Sequence, residues 1–300
     1  MRVVVTGATS FIGKRFVLVA LEKGWDVVAV VRKNSEKALE LKNVTNLQIV
    51  ELNMDEYYQI GTLIEKCDCF VHFAWNGTRG DGRNNQVMQQ NNYKNSMAAI
   101  ESILNIGCRR IITAGSQAEY GCCEGEITEE IECVPNTAYG IYKLKVFEMT
   151  KQLCEKRNVT YIEPRIFSLY GPGDYEKTLI MNLIDKMKKD VSCDLTQCIQ
   201  MWDFLYLDDA VKAIINLCEQ ECTSGAYNLG SGDVRKLKAY VEEVKKILHS
   251  SSQINYGAVP YPETGMVSIV PSINKIKKEI SWEPRVSFEE GIRAIIANAN

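Results

Sequence analysis

The sequence predicts an α/β fold built on an open, doubly wound parallel sheet, and three observations predict it. First, a strand-forming run, Arg2 to Val5, ends in Thr6-Gly7-Ala8-Thr9-Ser10-Phe11-Ile12-Gly13 and passes straight into a helical pattern of Phe16, Val17, Val19, Ala20 and Leu21. Second, strand-like and helix-like segments alternate through the first half of the chain. Third, Asp26 to Val31 is continuously apolar after its first residue, as a strand covered on both faces must be.

The opening strand, glycine turn and helix start have the layout of a dinucleotide-binding βαβ unit. Unpaired backbone N–H groups at the helix start carry the positive end of the helix dipole. A pyrophosphate can rest there without a dedicated cationic side chain. At the end of the second strand, enzymes using NAD usually place a carboxylate on the adenosine ribose. Here Val31 is followed by Arg32-Lys33-Asn34-Ser35. Arg32 offers the planar fork suited to a 2′-phosphate, so NADP(H) is expected ahead of NAD(H).

Leu47 to Leu52 predicts a third strand, Tyr57 to Lys66 a helix, and Cys69 to Ala74 a fourth strand. The polar, glycine-rich segment Asn76 to Asn85 predicts a long loop at the carboxyl end of that strand, where ligands of open α/β sheets sit. A long helix over 87–106 and a strand from Arg109 to Ala114 follow, and a sixth strand runs from Val159 to Arg165. Beyond it, Tyr170-Gly171-Pro172-Gly173 is a turn by composition. Leu179 to Lys189 reads as an amphipathic helix, Asp203 to Asp209 as a strand followed by a helix N-cap, Ala226 to Leu229 as a strand and Lys236 to Leu248 as a helix.

Three hundred residues, 46% apolar and 24% charged, suit one large α/β domain or a large domain carrying a smaller one. A net charge of -3 and a pI near 5.7 argue against a nucleic-acid partner. The basic patches at Lys186 to Lys189 and Lys275 to Lys278 read as solvated helix faces. No segment approaches the ~18 uninterrupted apolar residues of a membrane span, and no secretory signal is expected from an N-terminus that runs directly into a strand. The chain has 11 cysteines and 2 histidines, His72 and His249. Cys67-x-Cys69 and Cys122-Cys123 lack a second pair at zinc spacing, so no metal site is expected. Reduced thiols used as small apolar residues fit this pattern, and with them a cytoplasmic location.

Ile111-Ile112-Thr113-Ala114 leads into Gly115-Ser116-Gln117-Ala118-Glu119-Tyr120-Gly121, and Tyr139-Gly140-Ile141-Tyr142-Lys143 opens a later helix. Tyr139 and Lys143 are four apart and project from one helix face. A phenol that titrates near about 10 is a poor proton donor or acceptor at neutral pH. A lysine ammonium beside it stabilises the phenolate and draws it towards the working range. A serine hydroxyl at the end of a neighbouring strand can bond the substrate oxygen and hold it against the phenol.

With these pieces in place, the sequence resembles the extended short-chain dehydrogenase/reductase family, within its nucleotide-sugar epimerase, dehydratase and reductase group. The matching segments are TGATSFIG, FVHFAW, Asn92 in the long helix, AGSQAEYG, YGIYK, PRIFSLYGPGD, WDFLYLDDAVKAI, YNLGSG and ISWEPRVSFEEGIRA, which span essentially the whole chain. The resemblance implies a Rossmann domain over 1–167, to which the chain returns around 201–230. A smaller mixed α/β substrate domain over 168–300 completes the implied fold. Ser116, Tyr139 and Lys143 are implied to be catalytic, with Lys143 also holding the nicotinamide ribose. Cofactor contacts are expected at Gly7, Thr9, Ser10, Phe11, Ile12, Gly13, Arg32, Glu51, Leu52, Ala74, Trp75, Asn92, Ala114, Tyr139, Lys143, Pro164 and Arg165. Substrate contacts are expected at Gln117, Ser168 and Trp202. The family commonly dimerises through the helices near 87–106 and 138–156, which implies a homodimer.

Several positions depart from the family pattern. Ser10 replaces the middle glycine of the turn, so its side chain must point aside or bond a phosphate oxygen. Glu51 replaces the adenine-side aspartate. Trp202 stands where many epimerases and dehydratases of the group carry an arginine on the nucleotide diphosphate, which removes a bidentate donor. Ser168 replaces an asparagine. Gln117 and Ala118 follow Ser116 where a 4,6-dehydratase needs an acidic pair, which argues against elimination of water. The expected activity is NADPH-dependent reduction of a nucleotide-linked 4-keto deoxysugar, with Tyr139 as proton donor and hydride from nicotinamide C4. The alternatives are a nucleotide-sugar 4-epimerase, a reductase of non-nucleotide carbonyls, and a non-catalytic NADP(H)-binding sensor. Retention of all three catalytic residues argues against the sensor.

Overall fold

Val3, Val4 and Val5 are apolar on both sides of the first strand and fully buried, which puts that strand in the middle of a sheet covered on both faces. The computed structural model describes residues 1–41, 44–261 and 266–298. The first half contains β1 (Arg2–Thr6), β2 (Asp26–Val31), β3 (Leu47–Glu51), β4 (Cys69–His72), β5 (Arg110–Thr113) and the short β6 (Gly115–Ser116). There follow β7 (Thr160–Ile166), β8 (Ser168–Tyr170), β9 (Cys193–Leu195), β10 (Met201–Trp202) and β11 (Phe204–Tyr206). The last strands are β12 (Gly225–Leu229), β13 (Arg235–Lys236) and β14 (Ile254–Tyr256). The main sheet is parallel in the order β3-β2-β1-β4-β5-β7-β12, with β6 also paired to β7. Strand order reverses between β1 and β4, and the carboxyl ends there form the crevice of a doubly wound fold.

Helices α1 (Phe11–Glu22), α2 (Ile60–Leu63), α3 (Gln86–Asn105), α4 (Ala138–Arg157) and α5 (Leu179–Lys188) precede α6 (Leu207–Glu219), α7 (Leu237–Ile247), α8 (Asn274–Ile280) and α9 (Phe288–Asn298). One face of the sheet is covered by α1 and α6, where Phe16, Val17 and Ala20 join Val211, Ile214 and Trp282 in one core. The other face is covered by α3 and α4 through Ile100, Ile103, Val146 and Cys154. A third core gathers α5, α7 and α9 around Leu183, Tyr240, Val244, Phe288 and Ile292. It is flanked by the small pairs β8–β11, β10–β13 and β9–β14.

His72 joins the middle of the sheet to α3. Its Nδ1 lies 2.7 Å from Thr6 Oγ1 and its Nε2 lies 2.8 Å from Ser96 Oγ. Among the described residues no helix is long and apolar enough to cross a membrane, and no group of three His, Cys, Asp or Glu side chains is placed to hold a metal ion.

Two expectations are corrected, for 57–66 and for Lys275. The helix expected over 57–66 is a 3₁₀ turn, Met54–Gln59, followed by the single turn of α2. Gly61 packs against α3 so closely that a Cβ would lie 2.4 Å from Ser102 O, and its N–H is accepted by Ser102 Oγ at 2.8 Å. The expected strand and helix N-cap over 203–209 are β11 and Tyr206, and the Asp209 carboxylate accepts the N–H groups of Arg285 and Val286 at 2.9 and 2.8 Å. Lys275 is no solvated surface charge, because its ammonium donates to Ala226 O at 2.8 Å and lies 4.3 Å from the Tyr227 ring centre.

Candidate active site

The site begins at the turn between β1 and α1. Gly7 takes φ +67°, and a Cβ there would lie 2.6 Å from Ala74 N, so the backbones of the turn and of the β4 end touch. Ser10 is the N-cap of α1: its Oγ accepts the Gly13 N–H at 3.1 Å. The hydroxyl oxygen is thus engaged by its own helix, while Ser10 also lines the cavity described next. A cavity of about 500 Å³ opens here, lined among others by Gly7, Thr9, Ser10, Arg32, Leu52, Ala74, Trp75 and Asn76. Its volume lies in the range of cofactor clefts. The bare Gly7 backbone and the start of α1 fit a dinucleotide pyrophosphate.

Arg32 lies on the rim of this cavity, where its Nη2 donates to Asn76 Oδ1 at 3.3 Å. Neighbouring Lys33 is ion-paired with Glu56. Glu51 is exposed and is not among the residues lining the cavity. Side chains alternate along β3, so Val50 and Leu52 turn inward and Glu51 turns out.

At the other end of the crevice, Thr137 caps α4 by accepting the Gly140 N–H at 3.1 Å, which sets Tyr139 and Lys143 in the first turns facing the sheet. Both are buried, as is Ser116. Lys143 Nζ donates to Ala114 O at 2.7 Å and sits 3.9 Å from the centre of the Trp75 ring and 5.9 Å from that of Tyr139. The Trp75 and Tyr139 rings meet edge to face at 6.1 Å. Burial raises the Tyr139 pKa above that of an ordinary phenol, while its hydrogen bond with Ser116 and the nearby Arg83 charge pull it back. Burial lowers Lys143 to about 8, against the upward pull of Glu119 and Glu163. The structure therefore brings Ser116, Tyr139, Lys143, Ala114 and Trp75 together.

Beneath them lies an ionic cluster that sequence spacing did not reveal. Glu119 Oε1 accepts the Ser116 N–H at 2.7 Å, and Glu119 Oε2 accepts from Arg165 Nε at 3.0 Å. The same Nε lies 3.1 Å from Glu163 Oε1. All three side chains are almost completely buried, and burial together with Glu119 pushes Glu163 well above the usual carboxylate range. Pro164 and Arg165, both expected as cofactor contacts, are buried in this layer. Both still belong to β7, paired with Tyr227 and Asn228 of β12, and the chain leaves the sheet only after Ile166. Arg165 is enclosed between carboxylates and the Tyr120 and Phe147 rings, so it supports Ser116 from below.

Asn92 is likewise turned to backbone. Its Oδ1 accepts the Asn76 N–H at 3.2 Å and its Nδ2 donates to Asn76 O at 2.8 Å, fixing the chain as it leaves β4. One turn earlier on α3, fully buried Gln89 accepts from Trp75 Nε1 at 2.7 Å. Its amide was missed, although two amides at i and i+3 on an otherwise buried helix face are a legible signal. Gln117 and Ser168 are half-buried, on the 3₁₀ turn after β6 and at the start of β8. Trp202 packs on Phe204 at 6.3 Å and against the Tyr120, Ile127, Phe167 and Ile269 cluster, and its buried Nε1 has no hydrogen-bond partner among the described residues. Phe11 and Ile12 form the first turn of α1.

The profile of the NAD dependent epimerase/dehydratase family matches residues 3–230. CDP-abequose synthase of Salmonella muenchen is 25% identical over 99% of this chain and 97% of its own length. The dTDP-4-dehydro-6-deoxyglucose reductase of Escherichia coli is 24% identical over 98% and 96%. The chain is similar in fold to UDP-glucuronic acid 4-epimerase from Bacillus cereus, solved with UDP-glucuronic acid and NAD. The TM-score is 0.87 at 20% identity, with all of both chains covered.

Proposed function

The chain belongs to the NAD-dependent epimerase/dehydratase family, and from that premise we propose that it reduces the 4-keto group of a nucleotide-linked deoxysugar with NADPH. The observation that carries this reading is the Ser116–Tyr139–Lys143 group packed on Trp75, which lines the cavity whose rim carries Arg32 and no carboxylate at the end of β2. When bound, NADPH supplies hydride from nicotinamide C4 to the carbonyl carbon. The residues of the chain do the rest. Ser116 bonds the carbonyl oxygen and holds it against the Tyr139 phenol. Tyr139 gives its proton to that oxygen as the alcohol forms, and Lys143 offsets the negative charge left on the phenolate. Burial keeps Tyr139 protonated at neutral pH, the state a proton donor needs.

Arg32 supports the 2′-phosphate form of the cofactor, since its fork can bond phosphate oxygens in pairs. The names of the two sequence relatives support a deoxysugar nucleotide as substrate. The similar fold of a 4-epimerase solved with NAD supports a second reading, in which hydride leaves the sugar and returns within one cycle.

The test is to mix purified protein with NADPH and CDP-, dTDP-, UDP- or GDP-linked 4-keto-6-deoxyhexoses. Loss of the reduced-nicotinamide absorbance, equimolar with a new alcohol, is the expected result. No oxidation with any of them refutes the proposal. Interconversion of 4-hydroxy sugar nucleotides without net cofactor change would establish the epimerase.

A further inference from the structure

The segment between β4 and α3 lies across Tyr139, and two of its arginines have partners that link the site to the chain's second half. We infer that residues 76–85 form a built strap that makes Arg83 a positioning residue for Tyr139, with Arg79 latching the strap to Asp174. The inference rests on the reading of Tyr139 as the proton donor.

The geometry is specific at three points. The Arg83 guanidinium lies 4.6 Å from the centre of the Tyr139 ring. Arg79 Nη2 donates to Asp174 Oδ1 at 3.2 Å, and its guanidinium covers the Tyr175 ring at 5.0 Å. The Asp174 side chain is only 2% exposed and also accepts from Tyr175 N and from Thr178 Oγ1, so the latch seat is preformed at the turn leading to α5.

The strap is held down from α3 by the same Gln89 amide that accepts from Trp75. Gln89 Nε2 donates to Gly77 O at 3.0 Å and to Gly82 O at 2.7 Å. Gly77 takes φ +66°, and a Cβ there would lie 2.5 Å from Met88 Sδ and 2.9 Å from Gly82 O. Without that glycine the strap could not fold against α3.

Tyr139 is thus faced by Lys143 from its own helix, Ser116 and Glu119 from the end of β6, Glu163 from β7, Trp75 from the end of β4 and Arg83 from the strap. Arg83 is the cation whose presence there depends on the strap lying closed. A cation beside the ring favours phenolate over phenol. Negative charge developing as the proton leaves is then met from two sides, by Lys143 and by Arg83.

The test uses the full chain labelled with 3-fluorotyrosine, whose fluorine brings phenol titration to milder pH, with Tyr139→Phe assigning the signal in fluorine NMR. Arg83→Gln is expected to raise the Tyr139 midpoint by about one pH unit, and Arg83→Lys, which keeps the charge, by less. Arg79→Gln is expected to raise it in the same direction by a smaller amount. An unchanged midpoint in Arg83→Gln overturns the positioning role, and an unchanged midpoint in Arg79→Gln overturns the latch. A strap that only braces the fold would lower the melting temperature of these variants and leave the titration where it was. With the keto-sugar substrate, Arg83→Gln is expected to lower kcat about tenfold with KM little changed. If no keto sugar is turned over, the titration still decides the strap.

Discussion

Replacing His72 with glutamine tests how tightly the middle of the sheet is closed. His72 sits in register with Thr6 of β1 on one side and Thr113 of β5 on the other, 1% exposed, with both ring nitrogens in hydrogen bonds. Burial, and secondarily the Lys143 charge, lowers its pKa from 6.5 to about 3. Between those two values the unfolded chain binds a proton that the folded chain does not, so stability rises with pH across that window and is lost as pH falls. Each pH unit below the unfolded value costs about 1.4 kcal/mol, or about 2 kcal/mol by pH 5. Glutamine cannot titrate and keeps one of the two hydrogen bonds, so at pH 7.5 the variant should be weaker by about 1–3 kcal/mol.

Urea unfolding followed by tryptophan fluorescence at stepped pH should show that gap narrowing by about 2 kcal/mol between pH 7 and pH 5. Carboxylates such as Glu129 and Asp203, held above their usual range by burial, act in the opposite sense but are shared by both proteins and cancel in the difference. A gap that stays constant with pH would mean that His72 titrates normally in the folded protein, and the enclosure argument would fail.

Ser10→Ala removes the cap of α1 and should cost about 1 kcal/mol, seen as a melting temperature lower by about 2 °C; no change would mean that the Gly13 N–H finds another acceptor. Arg32→Glu should weaken NADPH by about a hundredfold and leave NADH nearly unaffected in a nicotinamide-fluorescence titration, whereas equal weakening of both would remove the 2′-phosphate assignment. Because burial holds Lys143 at about 8, kcat/KM should decline above that pH as the ammonium loses its proton. Lys143→Arg should abolish that decline even though its overall rate is lower, and a profile flat to pH 9.5 in the parent enzyme would refute the role given to the ammonium.

What could be read from the sequence was what repeats along it. The apolar runs of β1 and β2 gave the sheet, the glycine turn gave the crevice, and the four-residue step from Tyr139 to Lys143 gave one helix face carrying both side chains. What escaped depends on contacts between distant residues. The Thr6–His72–Ser96 clamp joins two strands and a helix, and no spacing announces it. Arg165 was legible as the end of a strand, but nothing in its spacing told that Glu119 and Glu163 hold it inside. Glu51 stands one step of strand alternation from the inward-facing Val50 and Leu52. The glycine-rich 76–85 segment was legible as a loop at the right end of the sheet, but its fold depends on the Gln89 amide, three residues from the Asn92 already singled out.

The ammonium of Lys275 on Ala226 O has a counterpart on the same strand, where Glu129 accepts the Asn228 N–H at 2.7 Å. β12 is the last strand of the sheet on its side, and such a strand would otherwise present bare donors and acceptors to any extended chain. One cation and one anion take an acceptor and a donor of that border, and the Asn228 side chain adds a bond to Ile127 O at 2.8 Å. Together they terminate the sheet without a further strand. They guard the molecule against the edge-on stacking through which concentrated α/β proteins come out of solution.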